Sequence, residues 1–518
     1  MRHTTLLSLL ALVSLEAFAQ AGSLDPGFGD NGKVLLPFID AGHNDQAVTA
    51  LVLPDEKILV AGRSSNGDHF NSVLIRLNSD GSPDMTFGTQ AVVHHDLAAG
   101  SEFIRSVTLD AQGRIVVGGH LFSDAAETNS DLFVARFLPD GTLDASFNGT
   151  GILIRDIHNT PDAEEAYEVL IQPDGRIVLC GFTGIAEEFT EIVIERYMDD
   201  GTLDPSFGGD GSVLVGVVDA SGEQLRGAAM GTSGEIYFCG FGIRTGESDQ
   251  SLLLGHVDAA GNSPSTFGNS NGHSWISEFD ADLIARAIAV TPDGGLVAAG
   301  VQRTTGATQA RVIYTFSATG IETSSSFMDN SNGPDAWNCL LVQNSGTILS
   351  GGDAGAAPNS RDWSVRRSEA DLGVDATFDA EDHDEDGGAE SCFDLEFTAD
   401  SSVLGIGYGE VAGQNHIMLL KYRNDISSGV NEAANTPLIN AFPNPTGSRS
   451  VISVGASSDH DPYAFRLVDA QGCTVQDWSN RPIGGGKFEI DLSSLAVGVY
   501  TLHARNAATR SSIKIVKR

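Results

Sequence analysis

An acidic run around residue 384 holds the residue types best suited to binding a metal. Asp382, Asp384 and Asp386, with the glycine that follows, spell D-x-D-x-D-G. Alternate carboxylates at this spacing converge on a hard cation, and the glycine permits the turn. The pattern is incomplete, because Phe393 stands where an EF-hand loop has a bidentate glutamate and Glu390 comes three positions early. The run therefore predicts either a Ca²⁺ site or a solvated acidic loop.

A second group of charged residues recurs through the chain. One acid stands 17 residues before a recurrent glycine, at Asp45, Glu102, Glu164, Glu223, Asp335 and Glu390, with Asp282 displaced by one residue. One base recurs at another position, at Arg76, Arg136, Arg196, His256, Arg367 and Lys421. Unpaired carboxylates around one channel would repel each other, so one acid and one base per repeat predict a local ion pair or turn lock. Cation binding at the mouth of a channel is the alternative.

Three arginines break this regularity. Arg105, Arg226 and Arg286 lie three residues after the recurrent acid position, in only three of the repeats. They indicate either an anion-accepting side of a channel or pairing with nearby acids. The pair His94-His95 could bind metal, but adjacent residues of a strand face opposite ways, so we expect a surface or packed pair.

Motifs of known catalytic or cofactor chemistry are missing from the sequence. It contains no nucleophile elbow, P-loop, dinucleotide fingerprint, H-E-x-x-H or paired-cysteine zinc spacing. No catalytic residue and no cofactor-binding residue is predicted.

A repeat positions all of these side chains. Its marker is a phenylalanine at successive intervals of 59, 60, 60, 60, 60 and 51 residues, at Phe28, Phe87, Phe147, Phe207, Phe267, Phe327 and Phe378. Repeats of this length stack on their neighbours to bury a shared core, and we expect the phenylalanine to fill the gap between neighbouring units.

The first full repeat contains four strand patterns, at residues 47–53, 57–62, 72–77 and 91–97. Short antiparallel strands that are apolar on both faces indicate the blade of a β-propeller, with a solenoid as the competing geometry. The chain opens with a lone strand pattern at 33–36 and its last repeat stops after 416–422. Pairing these two would complete a seventh sheet and leave no free edge. We therefore predict an all-β fold in which residues 20–425 form a seven-bladed propeller closed by the N-terminal strand.

The recurring elements G-x-L-D-x-x-F-G and D-G-x-I-x-x-x-G resemble the delta-60 repeat family of exported bacterial propellers. The resemblance covers about residues 22 to 425. It implies the fold and an exported setting but no reaction, and propeller active sites are assembled from separate blades.

The C-terminal residues have a different pattern. A polar linker at 426–437 precedes a compact β pattern at 438–518, which suits a small antiparallel sandwich. The F-P-N-P-T-G opening, the G-V-Y-T-L strand and the basic end resemble the type A C-terminal sorting domain of the bacterial type IX secretion system. This resemblance implies the secretion machinery as a partner and removal of the tail near the linker. A carbohydrate-binding or adhesive sandwich is the alternative.

Composition and the N-terminus agree with export. Residues 1–19 have the basic start, apolar run and A-x-A end of a signal peptide, and no later segment is long and apolar enough to span a bilayer. The net charge of −39 argues against a nucleic-acid partner. Five cysteines are too few for a disulfide framework, so we expect buried free thiols.

The sequence predicts a secreted or surface-attached protein that reaches the outside through the periplasm. Its predicted role is a non-catalytic binding or display scaffold for a protein or glycan. The alternatives are an extracellular hydrolase or lyase with its site at the channel mouth, which could use Ca²⁺, and a purely structural envelope protein. An enzyme should gather polar residues from three or more blades in one pocket, whereas a scaffold should show exposed aromatic residues or a broad loop surface. Trp275, Trp337 and Trp363 are the aromatic residues to locate first, although we expect each to be packed in the core.

Overall fold

A computed structural model describes most of the chain: residues 20–36, 39, 44–158, 163–184, 190–216, 220–278, 280–304, 309–328, 335–357, 360–378, 380, 382–384, 387–424, 439–442, 449–454, 463–468, 474–481, 487–496, 498–505 and 510–517. The predicted signal peptide and linker lie outside the described residues. The chain divides into two compact units, Met1–Ser427 and Ser428–Arg518.

The first unit consists of antiparallel sheets built in chain order. Its first three sheets are β2 to β5 (Asp45–Val52, Ile58–Ser65, Phe70–Leu77, Val92–His95), β6 to β9 (Glu102–Leu109, Ile115–Phe122, Ser130–Phe137, Ile152–Arg155) and β10 to β13 (Glu165–Ile171, Ile177–Gly184, Thr190–Tyr197, Ser212–Val215). The next two are β14 to β17 (Ala220–Met230, Ile236–Arg244, Gln250–Val257, His273–Ile276) and β18 to β21 (Ala281–Val290, Leu296–Thr304, Gln309–Phe316, Glu322–Met328).

The last two sheets differ from this pattern. The sixth has three described strands, β22 to β24 (Ala336–Val342, Ile348–Ala357, Ser360–Ser368). The seventh has β25 to β27 (Glu390–Phe397, Val403–Val411, Gln414–Tyr422) and takes its fourth strand, β1 (Lys33–Leu35), from the N-terminus. Lys33 lies opposite Leu420 in this antiparallel pair, as the sequence predicted. Lys421 also forms an ion pair with Asp25, at 3.2 Å. The N-terminal segment therefore contacts β27 both by strand pairing and by an ion pair.

The strands follow from local sequence. Strands such as β8 and β11 are buried along their whole length, as expected of sheets covered on both faces. Turns such as Pro173-Asp174-Gly175 connect them, and Gly175 adopts a left-handed φ of 86° that the turn requires. The predicted strand at 47–53 is observed as Asp45–Val52, so the pattern located the elements to within about two residues.

The sheets contact one another in sequence order. The first strand of each sheet contacts the first strand of the next, and β25 of the seventh sheet contacts β2 of the first. Apolar clusters fill the spaces between sheets; one joins Phe28 and Val60 with Leu404 and Leu419 across the junction of the first and seventh sheets.

Six of the seven repeat phenylalanines are buried in these spaces, but Phe327 is 45% exposed. Phe327 lies within strand β21. The local sequence lacks the Leu and Asp of the G-x-L-D-x-x-F-G element, and the chain continues as a strand where the other repeats turn. The expectation that every phenylalanine fills a gap is therefore wrong at this position.

Tryptophans and cysteines are part of the core. Trp337 and Trp363 are fully buried and Trp275 is nearly so, so none of the three forms an exposed aromatic surface. Cys180, Cys239, Cys339 and Cys392 are buried free thiols, as predicted, and Cys473 lies outside the described residues. The Sγ atoms of Cys339 and Cys392 are 4.0 Å apart.

The second unit contains two antiparallel sheets. One has β28, β29 and β32 (Ile439–Phe442, Arg449–Val454, Lys487–Asp491), and the other has β30, β31, β33 and β34 (Tyr463–Val468, Thr474–Arg481, Gly498–Arg505, Arg510–Lys517). Phe465 and Leu502 of the second sheet share a buried cluster with Ile490 of the first. All regular structure described in the two units is β, and no helix among the described residues could cross a membrane.

Candidate functional site: a cavity surrounded by the first strands

The first strands of all seven sheets line one cavity of about 920 Å³. Small-molecule sites typically have volumes of roughly 300–1,000 Å³. Every first strand carries a β-bulge at the same point, where two consecutive residues oppose one residue of the second strand. The bulged residues all line the cavity and are Val48, Arg105, Tyr167, Arg226, Arg286, Asn338 and Phe393. Each repeat thus contributes one bulged residue to the cavity wall, at the same level of the first strand, and the type of that residue varies from sheet to sheet.

The recurrent glycine of the second strand makes each bulge possible. Gly119, for example, lies opposite Ile104, next to the bulged Arg105. A Cβ at Gly119 would overlap the carbonyl oxygen of Phe103, and an equivalent overlap occurs in the other six sheets. The glycine of the D-G-x-I-x-x-x-G element is therefore a structural requirement of the layer that lines the cavity.

Five arginines line this cavity. Arg105, Arg226 and Arg286 are bulged residues, while Arg63 and Arg303 come from second strands, opposite Gln46 and Asp282. They are five of only 30 Lys and Arg in a chain of net charge −39. Arg105, Arg226 and Arg286 lie at the level of the bulge, and Arg63 and Arg303 lie level with residues two and four positions before it. This part of the cavity is therefore a local positive region within a strongly acidic protein.

Amides and aromatic rings surround most of these guanidinium groups. Arg226 donates to Gln224 Oε1 at 2.6 Å and lies 4.7 Å from the ring centre of Tyr167, whose ring is also 5.1 Å from the guanidinium of Arg105. Arg63 donates to the side-chain oxygen of Gln46 at 3.0 Å. Such partners hold the groups in place without neutralising their charge.

The pKa values reflect this environment. Burial, followed by repulsion from Arg105, lowers the pKa of Arg63 to about 10. Burial is also the main cause that lowers the pKa of Arg226 to about 10. Attraction by Glu165 acts in the opposite direction, whereas repulsion from Arg105, Arg286 and Arg303 lowers this pKa further. The guanidiniums remain charged at neutral pH, and a bound anion would relieve their mutual repulsion.

Two acids lie near the arginines. Glu165 is 4.0 Å from Arg226, and its carboxylate also accepts a hydrogen bond from Tyr167. Asp353 attracts Arg286, yet burial raises the pKa of Asp353, which also accepts hydrogen bonds from Asn338 and Ser391. Within the described part of the chain, no carboxylate lies within salt-bridge distance of Arg63, Arg105, Arg286 or Arg303. Simple pairing with acids therefore explains these arginines poorly.

Carboxyl groups line the other end of the cavity. Glu168, one residue past its bulge, accepts a hydrogen bond from Ser106 at 2.5 Å, and burial raises its pKa to about 8. Asp394 accepts from Thr49 at 2.8 Å, and burial raises its pKa to about 6. Burial and repulsion from Asp394 raise the pKa of Glu396 to about 8. These groups hold protons at neutral pH far more than ordinary carboxyls do.

The recurrent acids predicted from sequence do not line this cavity. Glu102 instead accepts hydrogen bonds from the backbone of Ala98 at 3.1 Å and Ser72 at 3.2 Å, and Asp45 accepts one from the backbone of Ile39 at 2.8 Å. They act as turn locks on neighbouring segments, which is one of the two structural roles expected.

The recurrent bases bind a different partner from the one expected. Arg136 forms an ion pair with Asp144 at 2.8 Å, stacks over Phe147 and donates to the backbone oxygen of Asp199 in the next repeat at 2.7 Å. Arg76, Arg196 and Arg367 repeat this arrangement with Asp84, Asp204 and Asp375. We call this group the perimeter clamp. The recurrent base therefore pairs with the aspartate of the G-x-L-D-x-x-F-G element and not, as had been expected, with the recurrent acid.

Residues 382–384 of the acidic run are described, and none of them lines the cavity. His383 pairs through its backbone with Trp363 of β24, so this residue lies at the edge of the sixth sheet. Asp382 forms a 2.7 Å ion pair with Arg366, whereas Asp384 lies with Asp362 and Glu390 in a group whose oxygens are within 4.8 Å of one another. Asp386 lies outside the described residues, and the calcium hypothesis stays a prediction.

The histidine pair is located on the fourth strand of the first sheet. His94 is exposed, and the ring of His95 lies 5.2 Å from that of Phe137. Burial lowers the pKa of His95, in keeping with a packed side chain.

Sequence reasoning identified three of the five cavity arginines and none of its carboxyls. Arg63 and Arg303 were missed because they lie on second strands. Glu168 and Asp394 were missed because each occurs at a position where other repeats have small residues, such as Gly227 and Ala287. A search for polar residues that depart from the repeat consensus at that position could have found both.

Comparison with known proteins agrees with this architecture. The Domain of unknown function (DUF5122) beta-propeller matches residues 53–87, 112–147 and 172–207, and each stretch ends at a repeat phenylalanine. The secretion system C-terminal sorting domain matches residues 440–518. The chain carries DUF5122 β-propeller repeats and a type IX sorting domain. The sorting domain supports export to a secreted or cell-surface location.

Several solved structures are similar to the chain. A protein of unknown function from Dyadobacter fermentans is 13% identical, with 77% of this chain and 100% of that one covered and a TM-score of 0.42. Sqt1 from Chaetomium thermophilum is 14% identical, with 79% and 94% covered and a TM-score of 0.39. An α-L-arabinofuranosidase from Fusarium graminearum is 10% identical, with 61% and 92% covered and a TM-score of 0.36. These values carry no argument about activity. Comparison with curated proteins finds no match.

Proposed function

We propose that the protein is an exported, non-catalytic binding protein whose DUF5122 repeats form a seven-bladed propeller. The circular order of contacts among the first strands and the pairing of β1 with β27 support this closure. In this proposal residues 1–19 are a signal peptide, 20–425 the propeller and 426–437 a linker. Residues 438–518 form a sorting sandwich that engages the type IX machinery and is removed after passage through the periplasm.

The ligand of the propeller carries more than one negative charge and binds at the arginine end of the cavity. The observation that carries this proposal is the convergence of five arginines, four of them without a carboxylate partner among the described residues, in a protein of net charge −39. Mutual repulsion makes such a cluster unfavourable in the absence of an anion. Residues that perturb one another in a cavity mark functional sites more often than structural ones.

Citrate titration tests the proposal directly. We expect millimolar citrate to raise the melting temperature by about 2–5 °C, because a ligand that binds only the folded state stabilises it. Arg105→Gln and Arg226→Gln should each abolish most of this rise. Arg244→Gln is the matched control, since Arg244 is 43% exposed and pairs with Glu247 away from the cavity lining. An equal citrate response in all four proteins would refute the anion site.

A hydrolase or lyase is the second candidate, and two observations favour it. The cavity gathers polar residues from more than three sheets, which is the arrangement expected of an enzyme, whereas the three tryptophans are buried. Glu168 and Asp394 lie in the same cavity, with pKa values raised by burial to about 8 and about 6. Two carboxyls with different pKa values can serve as general acid and general base. Turnover of a panel of extracellular polysaccharides that is lost in Glu168→Gln would favour this candidate, while binding without turnover would favour the scaffold.

We also propose that Asp382, Asp384 and Asp386 bind Ca²⁺. Asp384 already lies near two further carboxylates, Asp362 and Glu390, which supports the idea of a hard cation there. Melting curves with and without millimolar Ca²⁺ test this. A rise that disappears in Asp384→Asn is expected, and an unchanged melting temperature would exclude the calcium site.

A further inference from the structure

The cavity changes character along its length. Arg63 lies level with Gln46, two residues before the bulge of its sheet, whereas Glu396 lies three residues beyond the bulge of the seventh sheet. At about 3.3 Å per residue, these levels are roughly 15 Å apart. The arginines occupy the first part of this distance and Glu168, Asp394 and Glu396 the rest. A ligand that fills the cavity must therefore be elongated and have two chemically different ends.

The carboxyl end can both donate and accept hydrogen bonds. A protonated carboxyl has one donor and remaining acceptor capacity, and the hydroxyls of Ser106 and Thr49 have the same dual character. Apolar residues, among them Ala50, Ala228 and Leu340, line the same cavity. A surface of paired donor-acceptor groups between small apolar patches matches a ligand with hydroxyls on a carbon ring.

We propose that the cavity binds an anionic oligosaccharide, with its charged groups at the arginines and its hydroxylated sugar rings along Ser106, Glu168 and Asp394. This inference rests on the proposed anion-binding function and names its ligand class. Carboxylated and sulfated sugars share the required chemistry, since guanidinium groups bind both kinds of oxyanion through paired hydrogen bonds. The distance of roughly 15 Å along the wall calls for more than one sugar ring.

Other anionic ligands fit the walls less well. A nucleotide with its phosphates at the arginines would find no open face on Tyr167 for its base, because Arg105 and Arg226 already lie against that ring. An acidic peptide would bring carboxylates along its whole length, and these would meet the carboxyls of Glu168 and Asp394 instead of cations. A sugar chain brings neutral hydroxyls to that end.

Calorimetry at pH 6.5 with four probes tests the inference. Maltotriose 4″,6″-disulfate carries both charges on its terminal ring, and it should bind at least about tenfold more tightly than glucose 4,6-disulfate, because only the trimer reaches both ends. Maltotriose, the neutral trimer, should bind at least about tenfold more weakly than its disulfate. Glucarate, a single sugar acid with two carboxylates, separates the two sources of negative charge: weaker binding than glucose 4,6-disulfate assigns the site to sulfated sugars, and tighter binding to carboxylated ones.

Substitutions at Glu168 separate this inference from the proposed function. Glu168→Leu replaces the carboxyl group by an apolar side chain of similar size and removes its hydrogen bonds. It should abolish the tenfold higher affinity of the trimer over the monomer while leaving citrate binding unchanged. Glu168→Gln retains a donor and an acceptor, so it should keep the advantage within about threefold. Arg226→Gln should weaken citrate and trimer alike.

Two results would overturn the inference and leave anion binding intact. They are equal affinity for maltotriose 4″,6″-disulfate and maltotriose, or no advantage of the charged trimer over glucose 4,6-disulfate, in each case while citrate binding still depends on Arg226. Loss of the Arg226 dependence for every probe would overturn both proposals.

Discussion

Two groups of arginines in the propeller unit have opposite surroundings. In the perimeter clamp, Arg136 is fully buried, forms a 2.8 Å ion pair with Asp144 and donates to a backbone oxygen of the next repeat. In the cavity, Arg226 contacts an amide and an aromatic ring and is 4.0 Å from its nearest acid. The clamp recurs in at least four repeats, whereas the cavity arginines occupy a position that varies from one repeat to the next.

The contrast shows how a repeat separates stability from function. The clamp satisfies its charges internally and joins neighbouring sheets, so every repeat benefits from keeping it. The bulge supplies a scaffold position that tolerates Val, Tyr, Asn or Phe, since Gly119 and its equivalents hold the backbone whatever the side chain is. Variation at a fixed backbone position can build a site without disturbing the fold.

Breaking the clamp should have the largest effect. Arg136→Gln leaves Asp144 without its buried cation, and we expect a loss of about 3–5 kcal/mol in the free energy of unfolding, measured by denaturant titration. Arg226→Gln, the matched change in the cavity, should cost less than about 1 kcal/mol or stabilise the protein, because it removes a repelling charge. Similar losses in both variants would remove the distinction between the two groups.

Removing a bulge glycine should come next. Gly119→Ala forces a Cβ into the carbonyl of Phe103, and we expect a loss of about 2–3 kcal/mol in thermal or denaturant unfolding. Gly216→Ala is the control, since nothing lies within 4 Å of the added Cβ. If the two glycine variants were equally stable, the bulge would not depend on the glycine.

The cavity carboxyls should make stability pH-dependent. Burial raises the pKa of Glu168 in the folded protein to about 8, well above that of an unfolded glutamate, so its stabilising protonation is present in acid and lost as the pH rises from about 4.5 through 8. Glu168→Gln should flatten this decline by about 4 kcal/mol between pH 5 and 9, while the neighbouring Asp394, with a pKa of about 6, keeps part of it. Unfolding curves between pH 5 and 9 measure the difference, and parallel curves would contradict the raised pKa.

The smallest effect concerns the phenylalanines. Phe147→Leu should cost about 1 kcal/mol, because Phe147 is fully buried under the guanidinium of Arg136. Phe327→Leu should be nearly neutral, because Phe327 is 45% exposed. Melting temperatures of the two variants give the comparison, and an equal cost would mean that the fifth repeat keeps the same packing.

Much of the fold followed from the sequence because it depends on local chemistry. The phenylalanine period, the turn residues and the alternating apolar runs located the strands, and the lone pattern at 33–36 predicted the pairing of β1 with β27. The sorting domain was recognisable from its short motifs. The burial of Phe327 between two units was predicted wrongly. The 60-residue spacing of the phenylalanines is unchanged there, but the Leu and Asp that form the turn in other repeats are missing.

The site depended on contacts that sequence spacing does not contain. The order of residues alone established the repeat, its strands, its export signals and which charges recur, since each of these rests on neighbours in the chain. Only the tertiary structure decided that Arg136 pairs with Asp144 and not with a recurrent acid, and that Arg63, Arg226 and Glu168 line one cavity. The physical reason is that burial and the distances between charges from different sheets set their pairing and pKa values, and both arise only when the first strands come together.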